Sequence, residues 1–231
     1  MGIISKTLKI LSIISLILVI IISVIGYLAL ADAKEFSQKT GTESNMFLLV
    51  DQGHIIAGER NMMHNESPTP VTLDEMDKYQ KLLDNKDYAG LQEDNYKALL
   101  FDMNMFYSMA DIELEGTGFN KSQIIAVLKT RNATNWMLDM AMSKINVPPE
   151  LKEQAIVEIS KNIPTEAEIR GNLFMMLLGI AGKSRGPAFI IDEYRAGNVK
   201  VYPETMMFQF IKYAPQRVID VVESKMGAGT V

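Results

Sequence analysis

A chain of 231 residues, 48% of them hydrophobic and with a net charge of −5, is long enough for a membrane segment plus one ordinary domain with its own core. It has no cysteine, which excludes disulfides, thiolate metal sites, thiol nucleophiles and thioether lipid anchors. Of its 23 basic residues only Lys6 and Lys9 precede Asp32, and all 28 acidic residues lie from there on. That surface lacks the basic footprint needed by nucleic acid or by flat docking on anionic lipid.

Residues 1–9 carry Lys6 and Lys9, and Ile10 to Leu30 then runs ILSIISLILVIIISVIGYLAL without a charge. As a helix this run is roughly 30 Å long, the thickness of a bilayer's hydrocarbon core. The lysines before it and Asp32, Lys34 and Glu35 after it predict a cytoplasmic N-terminus and an exported C-terminal domain at the cell membrane. Ala29-Leu30-Ala31 and Ala31-Asp32-Ala33 resemble cleavage sites. The apolar run is nevertheless longer than the roughly 7–15 residues of a signal-peptide core, so residues 10–30 are expected to be a retained signal anchor.

Residues 31–45 are polar and small and read as a juxtamembrane spacer. The exported domain is expected over residues 46–227, with a loose tail at 228–231. Phe47-Leu48-Leu49-Val50 and His54-Ile55-Ile56-Ala57 flank Asp51-Gln52-Gly53 and predict a β-hairpin. Thr72 with Glu75 forms a capping box opening a helix to about Leu83. From Tyr96 to Ala110, apolar residues recur at i, i+3, i+4 and i+7, which predicts a helix central in the core. Asp111 to Glu115 alternates like a strand and is broken by Gly116-Thr117-Gly118.

Asn120 is placed to cap a helix to about Lys129, and Asn132 or Thr134 to cap another. Pro148 and Pro149 suit the first turn of a helix reaching Asn162, expected to bury Leu151, Ala155, Ile156 and Ile159. Thr165 with Glu168 is a second capping box. The helix it opens contains LFMMLLGIA, which is too short to span a bilayer and is expected to cross the core, ending near Gly182. Ala188 to Ile191 and Val199 to Tyr202 suggest a second hairpin. Pro203 starts a helix holding Met206, Met207, Phe210 and Ile211, and Pro215 starts the last, with Val218, Ile219, Val222 and Met226 inward. The sum is a mostly helical α+β protein: one N-terminal transmembrane helix, then one extracytoplasmic domain with a helical core and a minor antiparallel β-component.

Candidate sites are few. Met62-Met63-His64 falls in an expected loop, and thioethers with an imidazole form a soft ligand set for Cu(I). Most of the 16 methionines, however, fall at core spacing, where methionine fills gaps. His54 beside Asp51 is the available dyad for hydrolysis, but no serine elbow accompanies it. GIAGKS, ending at Ser184, lacks the first glycine of a phosphate-binding loop and closes a helix instead of opening one. No cofactor is implied, and nothing nominates an enzyme. The expected function is binding or assembly: an accessory subunit or surface interaction module, held in the membrane through residues 10–30, with a protein partner or a second copy of itself. The alternatives are a membrane-tethered hydrolase using His54 or His64, and a Met/His copper handler.

Overall fold

The computed structural model describes residues 2–40, 43–63, 67–92, 97–145, 148–186 and 188–220. Its first element is α1 (Gly2–Thr40), a single helix containing the apolar run. The stretch Ile10–Glu35 is long and apolar enough to cross a membrane, and almost all of it is unburied by the rest of the chain. The helix continues through most of the expected spacer. That stretch, ADAKEFSQK, has no glycine or proline, is rich in helix formers and carries a Glu35–Lys39 pair at i,i+4 spacing, 3.0 Å apart.

The domain is built on a five-stranded sheet in the order β3-β2-β1-β4-β7. Its strands are β1 (Asn45–Asp51), β2 (His54–Arg60), β3 (Thr69–Pro70), β4 (Lys97–Asp102) and β7 (Val199–Tyr202). The sheet is mixed: β1 pairs parallel with β4, and the other pairings are antiparallel. This corrects the expected minor antiparallel component, because the parallel pair lies at the centre of the fold. A separate two-stranded ladder joins β5 (Glu113–Leu114) to β6 (Phe119–Asn120).

Helices cover both faces of the sheet. On one, α2 (Leu73–Asp84) and a 3₁₀ turn at Gly90–Gln92 pack over Met46, Leu48, Ala98 and Leu100. On the other, α4 (Lys121–Lys129), α7 (Glu166–Arg185) and α8 (Phe189–Ala196) pack over Phe47, Leu49, Leu99 and Phe101. Phe101 stacks on Phe47 at 6.1 Å and meets Phe174 of α7 edge-on at 5.8 Å. Further helices are the short α3 (Asn104–Tyr107), α5 (Ala133–Lys144), α6 (Lys152–Ser160) and α9 (Met206–Tyr213).

Local chemistry sets many of the boundaries. The capping boxes at Thr72, Asn120 and Thr165 are each complete, side chain to backbone in both directions. Gln52 and Gly53 turn the β1–β2 hairpin with φ of 50° and 85°, the left-handed pair that a two-residue hairpin loop requires.

Several expectations fail. The segment predicted as a helix from Tyr96 to Ala110 contains β4 and then α3, and Tyr96 lies outside the described residues. A strand buried on both faces reads as a continuous apolar run, which helical periodicity also accommodates. The second expected hairpin is instead α8 followed by β7, with Gly197 left-handed at φ 84° as the helix stop. Helix α7 runs past Gly182 to Arg185 and stops at Gly186. Finally, α6 buries none of its residues, and Leu151 and Ile156 are exposed. In the last turn Ile219 is buried while Val218 is exposed; Val222 and Met226 lie outside the described residues.

Candidate functional site

The histidine singled out by the sequence lies at the β1–β2 turn, where Asp51 and His54 face each other as the last ladder pair. Gln80 of α2 clamps this turn. Its Oε1 accepts from the Ile55 amide at 2.7 Å, and its Nε2 donates to the Gly53 carbonyl at 3.0 Å and to Asp84 at 2.9 Å. The Asp51 carboxylate points away from catalysis. It accepts from the Tyr107 hydroxyl at 2.8 Å and pairs with Lys129 at 3.4 Å, and Lys129 also lies 4.8 Å from the Tyr107 ring centroid. Burial, reinforced by the nearby carboxylate, holds the Tyr107 hydroxyl above its ordinary range. His54 itself is exposed. The structure therefore brings Asp51 and His54 together along the chain but commits the carboxylate elsewhere, so no dyad forms.

Around this turn is a cleft of about 460 Å³, whose walls include His54, Gln80, Lys129, Arg131 and Arg170. Arg131 pairs with Asp77 at 2.7 Å. Arg170 is 1% exposed. Its Nη2 donates to the Leu128 carbonyl at 2.9 Å, while Nε and Nη1 have no partner. Glu166 is 3.9 Å away, too far to hydrogen-bond. Its carboxylate instead caps α5, accepting from the Ala133 and Thr134 amides at 3.0 and 2.9 Å. Desolvation pulls the Arg170 guanidinium down to about 10, which still leaves a cation at neutral pH. Among the described residues the cleft has three cations and an imidazole but no hydroxyl nucleophile. Lys129 and Arg131 are already paired with Asp51 and Asp77, and the cleft has no parts for a Ser-His-Asp mechanism.

A second charged group is buried against α7. Glu59 of β2 is 3% exposed, with Oε2 unpartnered, and burial pushes its carboxyl up to about 7. It packs against Gly171, where any Cβ would collide with the Glu59 carboxylate and approach Pro70 within 3.0 Å. The expected metal ligands separate differently. His64 lies outside the described residues, Met62 packs against the core, and Met63 is 48% exposed. Among the described residues no three His, Cys, Asp or Glu side chains gather to hold a metal.

Sequence reasoning passed over Arg170 and Glu59. Both interrupt an apolar pattern: Arg170 falls between Ile169 and Leu173 on a core helix, and Glu59 continues the strand face of Ala57. A charge on a core-facing position is the signal that could have found them.

Exposed apolar side chains gather elsewhere, at the end of α5 and along α6. Ile145, Leu151 and Val157 are 49%, 47% and 56% exposed, and Ile156 is exposed as well. No family model, curated protein or solved structure matches this chain.

Proposed function

We propose that this protein is a membrane-anchored binding module whose exported domain assembles with a protein partner through the α5–α6 surface. The observation that carries this reading is α6. Four of its nine residues, Ala155, Ile156, Val157 and Ile159, are apolar, yet none is buried in the domain. An amphipathic helix gains its stability by covering its apolar side, and water-facing Leu151, Ile156 and Val157 supply the apolar centre that protein interfaces use. The long apolar α1 supports the anchor, and the lysine bias supports the outward orientation.

Photo-crosslinking in native membranes tests the reading. A photoreactive residue at Val157 in the full-length chain is expected to trap a discrete protein adduct, and the same residue at Gln52 is not. An adduct of twice the chain's mass would identify the partner as a second copy. Absence of any adduct from Leu151, Ile156 and Val157 in turn would overturn the proposal.

The hydrolase alternative gains nothing from the geometry, because Asp51 is held by Tyr107 and Lys129 and His54 stands in solvent.

A further inference from the structure

Helix α9 has the sequence MMFQFIKY and is apolar everywhere but on the strip that carries Gln209 and Lys212. One side faces the domain: Phe208 and Ile211 pack on the main core, and Phe208 meets the Tyr194 ring edge-on at 5.6 Å. The opposite side carries Met206, Phe210 and Tyr213 at i, i+4 and i+7 spacing, which are 37%, 42% and 80% exposed. An apolar arc this wide is ordinarily covered by protein or laid into a lipid interface.

Its position decides between the two. Helix α9 packs along α1. Its first amide, Met206 N, donates to Asp32 at 2.8 Å, just beyond the end of the apolar run. Ile25 of α1 shares with Met206, Phe210 and Tyr213 an apolar cavity of about 300 Å³. Ile25 lies inside the run, roughly 8 Å along the helix axis from Leu30. A helix that starts level with Asp32 and flanks Ile25 is therefore at the depth where headgroups meet acyl chains, if α1 spans the bilayer. Tyr27 and Tyr213 are both exposed there, 73% and 80%, as in the aromatic belts of membrane proteins. The one cation of α9, Lys212, is paired with Glu204 at 3.3 Å, so burial of apolar surface rather than charge would provide the attraction.

We infer that α9 is a second membrane contact: its Met206–Phe210–Tyr213 face lies in the extracytoplasmic leaflet beside α1, and lipid acyl chains fill the cavity between the two helices. The inference rests on the anchored reading of α1 and adds the orientation of the domain, which is held against the bilayer by α9 instead of hanging from a flexible stalk. Because the attraction is apolar, zwitterionic lipid suffices and salt does not release the contact.

The chain has no cysteine of its own, so a single introduced one can carry a nitroxide. Full-length Phe210→Cys and Tyr213→Cys are labelled in phosphatidylcholine vesicles and compared with His54→Cys, at the far end of β1 and β2. Collision with lipid-soluble oxygen is expected to exceed collision with an aqueous nickel chelate several-fold at 210 and 213, and the order to reverse at 54. The result should be unchanged in high salt. Nickel-dominated collisions at both 210 and 213, in a chain that resists alkaline extraction, would overturn the inference and leave the anchor intact. Shielding from both reagents that disappears as protein is diluted into lipid would also overturn it, in favour of a second copy covering the face. Loss of the chain on alkaline extraction would instead fail the anchor reading itself.

Discussion

The carboxyl of Glu59 offers the sharpest prediction at the scale of single residues. Its ordinary value of 4.5 is pushed up to about 7 in the fold because burial disfavours its charged form. The folded protein thus holds this proton more tightly than the unfolded chain. Stability from this group is fully present below about pH 4.5, declines as pH rises to about 7 and is flat above. Glu59→Gln is expected to remove that decline and to stabilise the domain at pH 8 by up to about 3 kcal/mol. Thermal unfolding from about pH 4 to 9 checks it; an unchanged slope between wild type and variant would show the carboxyl to be ordinary. Its neighbour Gly171 tests the packing on the same spot. Gly171→Ala drives a methyl into the Glu59 carboxylate and Pro70, and is expected to cost about 1–3 kcal/mol by overpacking. A variant as stable as the parent would mean that α7 and β2 are not so closely apposed.

Among the secondary-structure elements, local signals were legible where they act through the backbone of a few residues. The caps at Thr72, Asn120 and Thr165, the left-handed turn at Gly53 and the core helix α7 are all written into short stretches of sequence. Thr165 can be tested directly. Its hydroxyl accepts from the Glu168 amide at 3.3 Å, while the Glu168 carboxylate accepts from the Thr165 amide at 2.7 Å. Thr165→Ala is expected to cost about 1 kcal/mol and to lower Tm by about 2–4 °C. What was not legible depends on partners distant in the chain. The parallel pairing of β4 with β1 joins Lys97–Asp102 to residues far upstream, and both strands are buried on both faces, so neither shows an alternation of period two. Asn132 looks like a cap, yet the bonds at the start of α5 come from Glu166. Glu59 and Arg170 do leave a trace, a charge that breaks an apolar pattern, but what surrounds them comes from distant segments: Gly171 beside Glu59, and the Leu128 carbonyl on Arg170.

For the whole molecule the decisive feature is that α1 does not end where its apolar run ends. The helix runs on to Thr40, and β1 begins at Asn45, so the sheet follows the helix within a few residues. Asp32 then joins α1 to α9 through the Met206 amide, a carboxylate at the positive end of a helix. This connection bears on the two small-residue stretches that resemble cleavage sites, Ala29-Leu30-Ala31 and Ala31-Asp32-Ala33. Cutting after Ala33 would remove Asp32 and the contact it makes, and cutting after Ala31 would leave Asp32 as a frayed terminus bearing a competing ammonium. A domain that uses Asp32 structurally is expected to keep its leader, so the chain isolated from membranes should have an intact mass near the full 25.9 kDa. A mass lacking the residues before Asp32 or Lys34 would show that α1 is a cleaved signal. Within the retained chain, Asp32→Ala is expected to weaken the start of α9 by about 0.5–2 kcal/mol, the value of a helix cap. Hydrogen exchange should speed up in the first turn of α9 while the amides of β1 and β4 stay protected. If the first turn of α9 exchanges at the same rate in both proteins, the domain does not depend on its anchor for that helix, and cleavage would be free to occur.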